Sequence, residues 1–202
     1  MKKNTCIIIL LFLSISSFYA QEKTPSQKLE ISIDGKNFVV NENDTLKYDN
    51  KSIIVKLSKN LVFNFGKLNF NYPKHFAFQN EKDLGVNIYS LDGNSFVITY
   101  FDFEIEVKSE NIISEMIKKF GKKKCKTSSK KIILNNIELV GTRIDIDLLE
   151  IKLTYDIFEI ENKGHKTNLI SFQDTKNEDG SDSKESIETL DVINNSFKII
   201  NE

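Results

Sequence analysis

Cysteine, histidine, arginine and glycine are all scarce in this 202-residue sequence, and each scarcity closes off a class of function. Only Cys6 and Cys125 are present, and Cys6 lies in an apolar leader. A disulfide framework is therefore excluded, and the fold must rest on its hydrophobic core. Cys125, beside Lys122, Lys123, Lys124 and Lys126, is either a passive thiol at the start of a strand or a reactive one. The two histidines, His75 and His165, have no ligand-spaced partner, as zinc or a nucleophile–base pair would require. A serine triad would need one of them as its base. Eight glycines are spread singly, so the glycine-rich loops that cradle nucleotide phosphates are absent, and Gly180-Ser181 sits in a polar loop rather than flanking a nucleophile. Hydrolase, kinase and dinucleotide-binding chemistries fall on these grounds. The expectation is a protein that is not an enzyme and holds no cofactor.

What the chain does contain is 40% hydrophobic and 28% charged residues, enough to bury a core and to exclude wholesale disorder. It opens with a basic pair, Lys2 and Lys3. An apolar stretch follows from Ile7 to about Phe18, then Ala20 before polar Gln21. This reads as a secretory signal peptide over residues 1–20, cut after Ala20, although Phe18 is bulky for its position. Cys6 precedes the apolar stretch, so lipid attachment is not expected. The mature chain would have 182 residues, one domain or one with a small appendage. With Lys2 and Lys3 gone, 26 bases stand against 29 acids, and no strong field points to nucleic acid. No second apolar segment reaches spanning length, so the expected location is the periplasm or outside the cell.

Residues 21–61 read as a polar tether followed by hairpins. Ile31 and Ile33 are set against Phe38 and Val40 across Asp34-Gly35, and a further strand runs through Ile53, Val55 and Leu57 near Asp49-Asn50. The main domain is expected over 62–202. Leu68, Phe70 and Tyr72 share a strand face that ends at Pro73. Strands Val86–Ser90 and Ser95–Val107 flank Asp92-Gly93-Asn94. The spacing of Ile112, Ile113, Met116, Ile117 and Phe120 predicts a helix capped by Ser109 and closed by Gly121. Strands near Ile132–Leu134, Ile137–Leu148, Glu150–Glu161 and Lys166–Gln173 follow, the last two joined at Asn162-Lys163-Gly164. Residues 174–183 read as a mobile polar loop. A helix bearing Ile187, Leu190 and Ile193 then leads to a final strand at Phe197–Ile200. The class is α+β with a mainly antiparallel sheet and an extra amino-terminal β-hairpin segment.

The segment FNYPKHFAF (Phe70 to Phe78), followed by a long hairpin, a helix, a meander and the tail TLDVINNSFKII (Thr189 to Ile200), resembles a PsbP-like domain. Phe76 stands where that family often has Trp. The resemblance spans about residues 62–200. It implies an antiparallel sheet sandwiched between helices, an α/β/α arrangement. The family includes the extrinsic photosystem II subunit, a Ran-binding nuclear-import protein and many exported bacterial proteins. It carries no catalytic signature, so no functional residue follows from it.

Two clusters carry the candidate sites. Lys118, Lys119, Lys122, Lys123, Lys124, Lys126, Lys130 and Lys131 form the one strongly biased patch, suited to acidic polysaccharide, lipid head groups or an acidic partner surface. The binding candidates are Lys122, Lys123, Lys124 and Lys126. Without arginine forks or interleaved aromatics, the patch does not suit sequence-reading nucleic-acid contact. Asp102, Glu104 and Glu106 are expected about 7 Å apart on one strand face, and Asp145 and Asp147 on another. Were those strands neighbours, the five carboxylates could gather as a calcium site, with Asp102, Glu104, Asp145 and Asp147 as ligands, or as an acid/base pair; otherwise they are an exposed charged face. Asn177–Gly180 echoes an EF-hand centre but lacks the acidic anchors at Thr175 and Ser186. The expected function is a non-catalytic envelope module that engages a partner protein. The rival is a binding module for an apolar small ligand beside Phe-rich strands, or for calcium.

Overall fold

The computed structural model describes residues 28–41, 44–83, 85–149, 151–163 and 166–200. The expected signal peptide and tether, Asn43, Glu150, Gly164 and His165 lie outside the described residues. The chain divides into two compact units, one ending at Leu57 and the other beginning at Ser58.

The first unit consists of two antiparallel hairpins, β1 (Lys28–Ile33) with β2 (Lys36–Asn41) and β3 (Thr45–Tyr48) with β4 (Lys51–Ile54). Their two-residue turns, Asp34-Gly35 and Asp49-Asn50, lie at positive φ throughout. That is the local geometry which lets a tight turn follow the twist of its strands. Val55 and Leu57, expected in a strand, lie beyond the end of β4. The hairpins are tied by a hydrogen bond of 2.9 Å from the Tyr48 hydroxyl to Asp34 Oδ2 and by edge-on packing of Phe38 on Tyr48.

The second unit has β5 (Asn60–Phe65), β6 (Leu68–Pro73), β7 (Ala77–Asp83), β8 (Val86–Asp92), β9 (Phe96–Phe103), helix α1 (Ser109–Phe120), β10 (Cys125–Leu134), β11 (Ile137–Leu148), β12 (Ile151–Lys163), β13 (Lys166–Thr175), helix α2 (Lys184–Asn194) and β14 (Lys198–Ile199). Seven strands pair in the order β10-β11-β12-β13-β9-β8-β7, and three more in the order β14-β6-β5. Every ladder is antiparallel. Helix α1 carries the chain from β9 to the far edge strand β10, and the following meander returns β13 to the side of β9.

Adjacent residues on a strand point to opposite faces, and Ile157 and Phe158 on β12 thereby serve two cores. Phe158 joins Phe70, Tyr100, Ile170, Phe172 and Ile193 in the larger one, which includes residues of β6 and α2. Ile157 joins Ile144 and Ile146, over which α1 lays Ile113, Met116 and Phe120. Gly66 in the β5–β6 turn has φ +55°, and a Cβ there would sit 2.5 Å from the Tyr100 hydroxyl, which accepts a bond of 3.0 Å from Lys67 N–H. Glycine satisfies both the backbone angle and the close approach.

Several local expectations change. β9 stops at Phe103, because the Glu104 N–H turns to the Gly85 carbonyl at 2.8 Å and the Val107 N–H to Thr167 Oγ1 at 2.9 Å. Glu104 and Glu106 are therefore not on a strand face with Asp102. Ser109 is the first residue of α1 rather than its cap; Lys108 holds that position without a side-chain bond. At α2 Ser183 does cap, accepting from Ser186 N–H at 3.1 Å. Ile187 is 58% exposed, and α2 instead buries Ser186, Thr189 and Ile193.

Glu185 fixes the start of α2. Its carboxylate accepts Ser95 N–H at 2.5 Å, Phe96 N–H at 2.9 Å and the Ser95 hydroxyl at 3.1 Å, and lies 2.7 Å from His75 Nε2. Burial alone would raise its pKa, but the Ser95 N–H bond, then His75 and the neighbouring backbone N–H groups outweigh that and hold it at about 2.

Candidate functional site

Residues paired across neighbouring strands project to the same face, so register builds the site row by row. Lys126 on β10 stands opposite Asp145 on β11, Asp145 opposite Thr154 on β12, and Thr154 opposite Asp174 on β13. The next row is Ser128, Arg143, Asp156 and Phe172. In the row after that, Phe158 and Ile170 enter the larger core. One face of the sheet thus passes from apolar to charged within three rows.

The charged end opens into a cavity of about 310 Å³ lined by Lys123, Lys124, Lys126, Lys152 and Lys176, by Asp145 and Asp147, and by Ile146, Leu153, Thr154 and Gly180. Lys176 is committed to Asp174 and Asp182, which leaves four lysines against two aspartates, a site for negative charge. The 3₁₀ turn Lys122–Lys124 delivers two of the lysines to its rim. The amines of Lys123, Lys124 and Lys126 have no ion-pair partner among the described residues. Lys152 Nζ donates to the Glu178 carbonyl at 3.1 Å, and Thr154 Oγ1 to Asp145 Oδ1 at 3.1 Å.

Behind it lies a smaller cavity of about 40 Å³ that shares Thr154 and Lys176 with the first. Arg143 binds Asp156 through two bonds of 2.7 Å, and this pairing raises the guanidinium pKa further. Lys130 Nζ lies 3.8 Å from the same carboxylate. The side chain of Lys176, only 8% exposed, reaches Asp174 Oδ2 at 3.1 Å and also bonds Asp182, whose carboxyl it holds below the ordinary range. Asp174 Oδ2 accepts Ser183 N–H at 3.3 Å, whereas its buried Oδ1 has no partner among the described residues.

The sequence candidates separate here. Lys123, Lys124 and Lys126 meet Asp145 and Asp147 in one cavity, a grouping the two clusters did not suggest. Lys122 opens the turn without lining the cavity. Asp102 takes a 2.8 Å bond from Asn168 Nδ2, and Glu104 pairs with Lys82 at 3.0 Å. β9 and β11 are separated by β13 and β12, so the neighbouring-strand condition for a carboxylate cluster is not met. Among the described residues no group of three His, Cys, Asp or Glu is placed to hold a metal ion. Cys125 is half-buried against Ile144, Ile146 and Ile157.

Segment 174–183 is bonded throughout instead of loose. Asp174 and Thr175 complete β13, Asn177 Nδ2 donates to Ser181 Oγ and the Asp182 carbonyl at 2.9 Å each, and Asp179 accepts from Ser181 N–H at 2.8 Å. Thr154, Lys152, Asp174 and Lys176 were not singled out in the sequence. The one available signal was the period-two continuation of Ile170 and Phe172 through Asp174 to Lys176.

Among the described residues no helix is long and apolar enough to cross a membrane. Set against models of known protein families the chain matches none, and a search of curated proteins finds no match.

Proposed function

We propose that this protein is an exported, non-catalytic binding module of the cell envelope, an accessory factor that holds an acidic group of its partner in the lysine cavity. The observation that carries this reading is the charge of that cavity, four lysines to two aspartates once Lys176 is set against Asp174 and Asp182, with three amines lacking any ion pair among the described residues. Unpaired ammonium groups around a concavity attract and retain anions without any chemical step. The export assignment rests on the basic, apolar and small-residue pattern of residues 1–20. The fold assignment is a PsbP-like α/β/α sandwich; the packing of α1 on one core and α2 on the other supports it.

Retention on immobilised dextran sulfate at rising salt tests the reading. The native chain should elute at higher salt than Lys123→Gln/Lys124→Gln/Lys126→Gln, while a Lys118→Gln/Lys119→Gln control should match the native chain. Equal elution of all three would remove the cavity from the proposal. Calcium is not the favoured ligand, since the cavity's two aspartates are outnumbered by lysines.

A further inference from the structure

Around the smaller cavity Lys130, Arg143 and Lys176 face Asp156, Asp174 and Asp182, with the hydroxyls of Thr154 and Ser186 beside them. Three cations balance three anions, so this chamber calls for no ion. What it leaves unmet is one acceptor, the buried Asp174 Oδ1. Interiors rarely leave such an atom without a donor, and the omission is costly.

From this geometry we infer that the two cavities are one site for a phosphorylated polyol or sugar. The phosphate sits among Lys123, Lys124 and Lys126, and a hydroxyl of the same molecule enters the smaller chamber and donates to Asp174 Oδ1. This deepens the lysine-cavity reading and rests on it. Charge selects an anion in the outer cavity. Arg143, the only arginine, is taken up by Asp156 on both arms. Its planar fork, which would pair with carboxylate or phosphate alike, is thus not free, and the cations left to hold the phosphate are lysine ammonium groups acting as point charges.

The inner donor is a hydroxyl and not an ammonium, because an ammonium would add a fourth cation beside Lys130, Arg143 and Lys176. Size agrees. About 40 Å³ exceeds the roughly 10–15 Å³ that one water needs on the same measure, room for a hydroxyl-bearing group. The larger cavity, about 310 Å³, keeps the remainder of the molecule.

Titration calorimetry of the full chain with glycerol 1-phosphate, glucose 6-phosphate, propyl phosphate and inorganic phosphate tests this without altering the fold. The polyol phosphates should bind about tenfold or more tightly than propyl phosphate, the effect of one hydrogen bond to a charged acceptor. Their binding should vanish in Lys123→Gln/Lys124→Gln/Lys126→Gln. Vesicles of phosphatidylglycerol in phosphatidylcholine, compared with phosphatidic acid vesicles, distinguish a lipid headgroup from a free solute as the source. Equal affinity for propyl and glycerol phosphates would overturn the inner hydroxyl subsite and leave Asp174 Oδ1 to a buried water. Loss of all phosphate binding with dextran sulfate retention intact would sink this inference alone. Failure of both would also remove the lysine-cavity reading.

Discussion

Replacing Glu185 with glutamine keeps the shape of the side chain and removes its charge, and the consequence can be worked out as a function of pH. In the native chain the carboxylate accepts three hydrogen bonds from Ser95 and Phe96 and lies beside His75, with 13% of its side chain exposed. Its pKa falls from 4.5 to about 2. A depressed carboxyl pKa contributes stability that is fully present above the unfolded value and lost as pH falls through the folded one. The window is therefore from 4.5 down to about 2. By linkage the ionised group is worth up to about 3 kcal/mol at neutral pH and roughly half of that near pH 3. Urea unfolding of the native chain and Glu185→Gln at pH 7, pH 3 and pH 2 should show a stability gap of about 3 kcal/mol that narrows with acid and closes. A gap of the same size at pH 3 and pH 7 would show that the charge is not what secures α2, and the reasoning would fail.

Arg143→Met should destabilise by about 3 kcal/mol, because it strands the nearly buried Asp156 with only Lys130 near it. Arg143→Met/Asp156→Leu should recover most of that loss in the same denaturation assay, and no recovery would refute a desolvation origin. Gly141→Ala should cost about 2 kcal/mol or more, since the added Cβ would lie 2.0 Å from the Ile157 carbonyl oxygen; a thermal melt unchanged from the native chain would contradict it. Phe158→Ala should cost about 3–5 kcal/mol, being fully buried between β-sheet neighbours. Lys123→Gln/Lys124→Gln/Lys126→Gln should leave stability within about 0.5 kcal/mol, because the three side chains are exposed, and a larger loss would mean they hold the fold.

The elements that were legible in sequence are those whose cause is local. Asp34-Gly35 and Asp49-Asn50 mark turns because their residues accept positive φ, and the backbone adopts it. The apolar spacing of α1 and the alternation of β6 and β11 likewise need only a few neighbouring residues. β7 shows the opposite case. Every residue of Ala77–Asp83 is exposed, so no alternation announces a strand that exists only because β8 pairs with it. β9 is ambiguous in another way. Both its faces carry apolar residues, yet only Phe96, Ile98 and Tyr100 are buried, while Phe101 and Phe103 stay partly exposed, and which face meets the core depends on what packs on it.

The candidate site divides along the same line. The lysines near 122–126 stood out as a charge run, and Asp145 and Asp147 as an alternating strand face. Their meeting is a matter of register, Lys126 against Asp145 and Asp145 against Thr154, which pairs residues far apart in the chain. Asp174 and Lys176 looked like the start of a solvated loop, yet β13 runs on to Thr175 and the two side chains are buried against each other. By itself the sequence determined the class of fold, the tight turns and the excess of lysine before β10, because propensity, turn chemistry and local charge act over a few residues. Only the tertiary structure decided which charges share a cavity and which carboxylate oxygen is left without a donor. Those depend on strand order and burial, and neither is set by residues that adjoin in sequence.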